Sequence, residues 1–372
     1  MLTIREIAKK TGLSTATVSR ALDSRFSGKV KESTRKRIMA VCDRGNYRPS
    51  ITGRSFSMKK TYKVGMIFGS IERDLGNPLC GLFMRGVCDE LQKTGYTAIV
   101  LHAAPPQDRG VIDLLRSQVA DAYILGTSMI SEPVLDSALR SDTPVISLGS
   151  AGQNCGLTGV RRNLEPAYRD IWSRIPVSWS GKIAFCQARM SMADDKYSVL
   201  CRTAPSGFKC GRIPLEFPCL DFCFDRFSAR TAAMSMLDRL TAYKLLWCGS
   251  DLTALGIKDA LETAGLTVGK DIFLIGNDDL ENLAGGSGMR PFLSTVDEHM
   301  EEYGRLAAAQ AVNCVGREAD GPVILNADYI VRDSFPYEPR NRSGRMKQPL
   351  NVMEKISKIL KPDFAVGKGV LP

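Results

Sequence analysis

The sequence predicts two unlike parts: a small all-α helix-turn-helix headpiece and, behind it, an α/β core of two similar subdomains. Three observations predict this. Residues 3–22 read TIREIAKKTGLSTATVSRAL, two short helical repeats joined by a tight turn. From Tyr62 onward short apolar runs alternate with stretches of helical length, the pattern of βαβ units on parallel sheets. Charge is also divided unevenly, with 15 Lys and Arg against 4 Asp and Glu in residues 1–60 of a 372-residue chain whose formal net charge is +10.

The first helix starts at Thr3, an N-cap with Glu6 three residues on to complete a capping box. Ile4, Ile7 and Ala8 share one face, and Gly12 ends the helix where a left-handed backbone is needed. Ser14 caps the second helix, which turns Val18 and Leu22 inward. Its outer face (Thr15, Ala16, Thr17, Ser19, Arg20) is small and hydroxylated and ends in a guanidinium. Such a helix fits a major groove, its first hydroxyls and amides meeting phosphate or base edges while Arg20 pairs with guanine O6 and N7. A third helix is expected from about Glu32 to Arg44, with Ile38, Val41 and Cys42 inward and Gly45 at its end.

The pattern T-I-x-E-I-A-x-x-x-G-L-S-x-x-T-V-S-R-x-L, followed by Val30, Thr34, Arg35, Asn46, Tyr47 and Pro49, resembles the headpiece of the lactose-repressor (LacI/GalR) family of bacterial transcription regulators over residues 3–61. The residues then expected at DNA are Thr3, Ser14, Thr15, Ala16, Thr17, Ser19, Arg20, Asn46, Tyr47, Arg54 and Phe56. The helical headpiece is expected over 1–47 and a hinge over 48–61. Ser50, Ile51, Thr52, Gly53 and Ser55 are poor helix formers, so this stretch does not hold a helix alone in water. In the resembled family the matching segment folds on DNA, pairs with its dimer mate and wedges a leucine into the minor groove. Phe56 stands at that position, and a phenyl ring is a competent wedge. The alternative is a flexible linker with Phe56 docked on the next domain.

In the core, YKVGMIFGS, YTAIVLHA, DAYILG and TPVISLG form one series of strand-like runs and KIAFCQ, YKLLWCGS and DIFLIGND a second. Two such series imply ligand binding at the C-terminal strand ends, in the cleft between the subdomains. The same order resembles the family's effector core, which is similar to periplasmic sugar-binding proteins with two Rossmann-like subdomains. Its marks here are Asn77-Pro78, Asn163-x-Glu165, Ser250-Asp251-Leu252-x-Ala254-Leu255-Gly256 and Gly276-Asn277-Asp278-Asp279. The expected effector contacts are Asn77, Leu79, Arg162, Asn163, Lys196, Ser250, Asp251 and Asp278, although Ser250 and Asp251 also suit an N-cap. Three departures alter the chemistry. Arg162 stands where the family commonly has Asp, Lys196 is the nearest candidate for its sugar-gripping Arg, and Pro166 replaces a glycine. A lysine point charge does not reproduce a bidentate grip on vicinal hydroxyls. The pocket then takes an anionic or differently shaped ligand, or it is degenerate.

The core is expected over 62–335, with subdomains near 62–158 plus 291–325 and 159–290 plus 326–335. RPFLSTV (290–296) is the expected return to the first subdomain, and the last strand is expected near VILNADYIVRDSF. An amphipathic helix from about Met300 to Cys314 turns Tyr303, Leu306, Ala307 and Ala311 to the core. Beyond it lies a basic tail, 336–372, with a short helix capped by Asn351 and Glu354.

The eleven cysteines contain no C-x-x-C pair, and the only histidines are His102 and His299, so zinc spacing is absent and the cysteines read as reduced core thiols. No metal and no cofactor is expected. Neither a nucleophile–base motif nor a Gly-rich phosphate fingerprint appears, which argues against an enzyme. The absence of an export signal or a membrane-length apolar run places the expected protein in the cytoplasm. The expectation is a homodimeric repressor on a near-palindromic double-stranded operator, controlled by a carbohydrate-like effector. The alternative is a core that answers to a protein partner or has lost its ligand.

Overall fold

The computed structural model describes residues 2–22, 28–47, 60–68, 76–103, 106–126, 130–149, 156–188, 194–215, 225–281, 290–317 and 321–339. Two compact units divide the chain, residues 1–62 and 63–372. Arg54, Phe56 and the tail helix expected at 351–361 fall outside the described residues.

The first unit holds α1 (Ile4–Thr11), α2 (Thr15–Leu22) and α3 (Glu32–Arg44). Thr3 and Glu6 form the expected capping box, each side chain bonding the other's backbone N–H at 3.3 and 2.7 Å. Gly12 takes the left-handed conformation at φ 64° that lets the chain turn. Ile7, Ala8, Val18, Ala21, Ile38 and Cys42 make a buried core, with Leu22 and Val41 packed at its edge. At the end of α3 it is Asn46, at φ 45°, and not Gly45 that adopts the left-handed backbone.

The second unit begins with β1 (Lys63–Phe68), α4 (Pro78–Thr94), β2 (Thr97–His102), α5 (Gln107–Arg116), β3 (Ala122–Gly126), α6 (Glu132–Leu139), β4 (Val145–Leu148) and β5 (Gly159–Asn163). It continues with α7 (Glu165–Arg174), β6 (Ile183–Ala188), α8 (Asp194–Thr203), β7 (Cys210–Leu215), α9 (Arg226–Met234), α10 (Leu237–Thr241), β8 (Leu245–Cys248), α11 (Asp251–Thr263) and β9 (Phe273–Asn277). The last elements are β10 (Ser294–Asp297), α12 (Met300–Asn313), β11 (Val323–Asn326) and β12 (Asp328–Ile330).

These strands form two six-stranded sheets, ordered β11-β5-β4-β3-β1-β2 and β12-β10-β9-β8-β6-β7. Every pairing is parallel except β10 with β12. The central strands have the composition that burial on both faces requires: β3 (AYILG), β8 (LLWC) and β9 (FLIGN) are apolar runs without alternation. Cys186 and Cys248 are fully buried thiols on the neighbouring strands β6 and β8.

The crossings between subdomains differ from those expected. Residues 159–163 belong to the first sheet, because β5 pairs with β4 on one side and β11 on the other. The segment containing LSTV belongs to the second, because β10 runs beside β9, and the chain returns only after Asp297. The single expected last strand is two, one in each sheet, with Ala327 alone between them. GVRRN offers only two apolar residues, both buried, so hydrophobic patterning does not mark it as a strand.

Helix α12 seals the first subdomain against α4. Gly86 and Gly304 bring the two backbones into contact: a Cβ on Gly86 would collide with the Glu301 carbonyl, and one on Gly304 with the Phe83 carbonyl. Phe83 and Tyr303 meet edge to face across the same contact, 5.7 Å between centroids.

Candidate functional site

In the headpiece, Thr15, Ala16, Ser19 and Arg20 are exposed on α2 and Thr17 is half-buried. Val18 and Ala21, on the opposite side, are in the core. The hydroxyls of Thr3 and Ser14 are committed to caps, Ser14 Oγ accepting from the Thr17 N–H at 3.1 Å. Both residues therefore set the start of a helix whose free N–H groups point outward. Asn46 is exposed, whereas Tyr47 packs against the headpiece core and donates its N–H to the Cys42 carbonyl at 2.9 Å.

In the core, four charged side chains meet where strands of both sheets end. Arg162 lies near the end of β5, Lys196 in the first turn of α8 after β6, Asp278 follows β9 and Glu298 follows β10. Lys196 Nζ lies 2.6 Å from Glu298 Oε1 and 3.0 Å from Asp278 Oδ1, and donates to the Gly249 carbonyl at 3.0 Å. Arg162 Nη1 bonds the other Glu298 oxygen, and its guanidinium lies over the Tyr303 ring, 5.1 Å from the centroid. Glu298 and Asp278 are almost fully buried, at 1% and 3% side-chain exposure, while Arg162 keeps a third of its surface.

The environment separates the two carboxyls. Burial favours the neutral form of both, but the Arg162 guanidinium and the Lys196 ammonium hold Glu298 down at about 2. For Asp278 burial wins, aided by the Glu298 charge and opposed by Lys196 and Arg162, and its carboxyl is pushed up to about 7. Burial works against the charge of Lys196, yet Asp278 and Glu298 raise its pKa. Two cations and two carboxyls of the chain are thus paired with one another.

Backbone strain marks the same place. Asp278 has φ 113°, Asp279 φ 53° and His299 φ 51°. Such conformations persist when the surrounding bonds hold them. The Asp278 N–H donates to the Val296 carbonyl at 2.7 Å, and Asp279 accepts from Arg332 at 2.6 Å. His299 ties the second crossing to the third, its ring nitrogens each 2.9 Å from a carboxylate, Asp297 and Asp328.

Of the residues expected from sequence, the structure thus joins Arg162, Lys196 and Asp278. The others are held in framework contacts. Asn77 caps α4 by accepting from the Leu79 N–H at 3.0 Å, and Leu79 is half-buried. Asn163 donates to Asn326 at 2.9 Å and accepts from the Glu165 N–H at 3.3 Å, bracing the first crossing against the third. Ser250 is the N-cap of α11, accepting from the Thr253 N–H at 3.2 Å. Asp251 is fully buried, accepting from the Leu280 N–H and the Thr295 hydroxyl, both at 2.6 Å, and burial followed by the nearby Asp278 raises its pKa. Glu298 is the member of the cluster that sequence reasoning misses. The one signal present is an acidic pair, Asp297-Glu298, ending an apolar run.

A helix-turn-helix with a small exposed reading face, carried on a two-sheet α/β core, defines a DNA-binding regulator. Residues 3–50 match the family model for bacterial regulatory proteins of the lacI family, and residues 182–335 match the periplasmic binding protein-like domain. The chain thus carries a LacI-family helix-turn-helix domain together with a periplasmic-binding-protein-like domain. It is 24% identical to catabolite control protein A of Priestia megaterium, over 85% of this chain and 93% of that one. It is 24% identical to the probable HTH-type transcriptional repressor ExuR of Bacillus subtilis (strain 168), over 90% and 98%. With the HTH-type transcriptional repressor PurR of Photobacterium profundum it shares 26%, over 82% and 90%. The fold is similar to the lac repressor dimer bound to operator and the anti-inducer ONPF, with TM-score 0.67 and 18% identity over 90% of this chain and 99% of that one. It is also similar to the transcriptional regulator CelR in its cellobiose complex, with TM-score 0.58 and 18% identity over 90% and 100%. Among the described residues no helix is long and apolar enough to cross a membrane.

Proposed function

We propose that this chain is a cytoplasmic, homodimeric transcription repressor, not an enzyme, and that it reads a near-palindromic operator through α2. A small carbohydrate-like effector bound at the strand ends around Arg162, Lys196, Asp278 and Glu298 sets its grip. The observation that carries the DNA half is the exposed stripe Thr15, Ala16, Ser19 and Arg20 beside a buried Val18. A dimer presents two such helices to the two halves of a symmetric site. The observation that supports the effector half is the convergence of buried charge on crossings between subdomains, with Asp278 held at a strained backbone. Charge and backbone strain concentrated at one place support reading it as a binding site.

The test has two arms. Selection from a random-sequence DNA pool should yield a two-fold symmetric motif. A thermal-shift screen against sugars, sugar phosphates and uronates should identify the effector, since a ligand at 100 times its dissociation constant adds about 2.7 kcal/mol. An unstructured pool after selection would reject the operator reading, and a flat screen would favour a core without a small-molecule ligand. That second reading draws on one specific feature, the mutual pairing of all four charges.

A further inference from the structure

We propose that Glu298 is an internal ligand: its carboxylate fills a carboxylate subsite built by Arg162 of the first subdomain and Lys196 of the second, and the controlling effector carries a carboxylate that takes its place. This rests on the reading of the cleft as the effector site and names the ligand's chemistry.

The two cations grip the carboxylate from opposite subdomains, Arg162 on Oε2 and Lys196 on Oε1. Neither cation owes its position to Glu298 alone. Arg162 is seated over the Tyr303 ring with the Met300 sulfur 3.5 Å from Nη1, and Lys196 is fixed by the Gly249 carbonyl and Asp278. The subsite therefore keeps its shape when the occupant changes. Charge decides what can replace the occupant. A neutral polyol that expelled Glu298 would leave two cations facing Asp278 alone, an unbalanced charge in a buried site. A ligand with its own carboxylate restores the count and meets a guanidinium suited to it. Arg162, one-third exposed, gives the incoming group an approach that the buried Glu298 lacks.

Glu298 also sits where displacement would matter. It is the first residue after β10 on the second crossing, next to the left-handed His299 at the N-cap of α12. Moving its side chain away from Arg162 and Lys196 acts directly on one of the three peptides that join the two subdomains. Release of the internal ligand and a change in subdomain angle are thus one event.

The test uses the full-length protein at fixed ionic strength, with chloride as the control salt. Glu298→Ala should melt lower than wild type, and sodium acetate should raise its melting temperature saturably while leaving wild type unmoved. The Arg162→Ala/Glu298→Ala double variant should lose the acetate response. In wild type, D-galacturonate or D-glucuronate should change operator affinity several-fold where D-galactose and D-glucose do not. An acetate response no larger than that of chloride, or a response to the neutral sugars alone, overturns the proposal. If the alanine variant does not fold, Glu298→Gln keeps the shape and removes the charge. It should enlarge the radius of gyration of the core in solution scattering, and an unchanged radius would equally overturn the proposal. Failure of wild type to bind any DNA would reject the operator reading, and the acetate arm would still report on the subsite.

Discussion

The Asp278 carboxylate lies 3.0 Å from the Lys196 ammonium, on a backbone at φ 113° that non-glycine residues seldom adopt. A glycine there would relieve the backbone, so the strain points to a role for the Asp278 side chain. Asp278→Ala should therefore abolish the effector response while sparing operator binding, as the headpiece residues lie in the other compact unit. Fluorescence anisotropy on operator DNA, with and without the responding compound, checks this. A variant that still responds in full would move the effector contact away from Asp278.

The same residue gives the core a pH dependence of definite sign. Its carboxyl is pushed up from 3.8 to about 7 by burial, with Glu298 adding to the rise and Lys196 and Arg162 opposing it. Between these values the folded chain holds a proton that the unfolded chain has released, so stability falls as the pH rises through that window. Buried Asp251 is raised as well, and its contribution has the same sign. Glu298 acts lower and in the opposite sense. Held from 4.5 to about 2, it contributes stability present above 4.5 and lost as the pH falls toward 2. Melting temperatures measured from about pH 5 to about pH 8 should decline in wild type more steeply than in Asp278→Asn. Parallel profiles would remove Asp278 as the titrating group.

What is legible in the sequence follows the range of the interactions. The capping box of Thr3 and Glu6 and the turn at Gly12 depend on neighbours three or four residues away, and both stand as read. The apolar runs of β1, β3, β8 and β9 are equally plain. Strand β5 is not, since GVRRN lacks an apolar run and one of its two neighbours, β11, lies more than a hundred residues later in the chain. Position after a strand end suffices to suggest Arg162, Lys196 and Asp278. Glu298 escapes because its partner Arg162 is 136 residues away and no local pattern links them. Ser250 and Asp251 show the complementary difficulty: a residue that follows a strand and starts a helix looks alike whether it caps, braces the fold or meets a ligand.

The contact between α4 and α12 depends on two residues without side chains. Because a Cβ on Gly86 would meet backbone, not a movable side-chain tip, the helices must separate to accept it. Overpacking of this kind costs on the order of 1 to 3 kcal/mol. Gly86→Ala and Gly304→Ala should each lower the melting temperature of the core, whereas Gly81→Ala, on the same helix as Gly86 with open space around it, should not. Equal melting of all three variants would mean that the helices are free to move apart.

Arg20 carries the most direct test of DNA reading. It is exposed in the last turn of α2, one turn beyond Ala16 and Thr17, while Val18 and Ala21 anchor the helix to the headpiece core. Its guanidinium has the paired donors that match O6 and N7 of guanine, and a good bidentate pair is worth about 1 to 3 kcal/mol of base discrimination. Arg20→Ala should weaken operator binding by about that amount and relax preference at one base pair in each half-site, leaving the others intact. Arg20→Lys should recover affinity in low salt more than it recovers selectivity, because a point charge still meets phosphate. Selection of both variants against the same random pool separates the outcomes. A motif identical to that of wild type would assign Arg20 to the phosphate backbone.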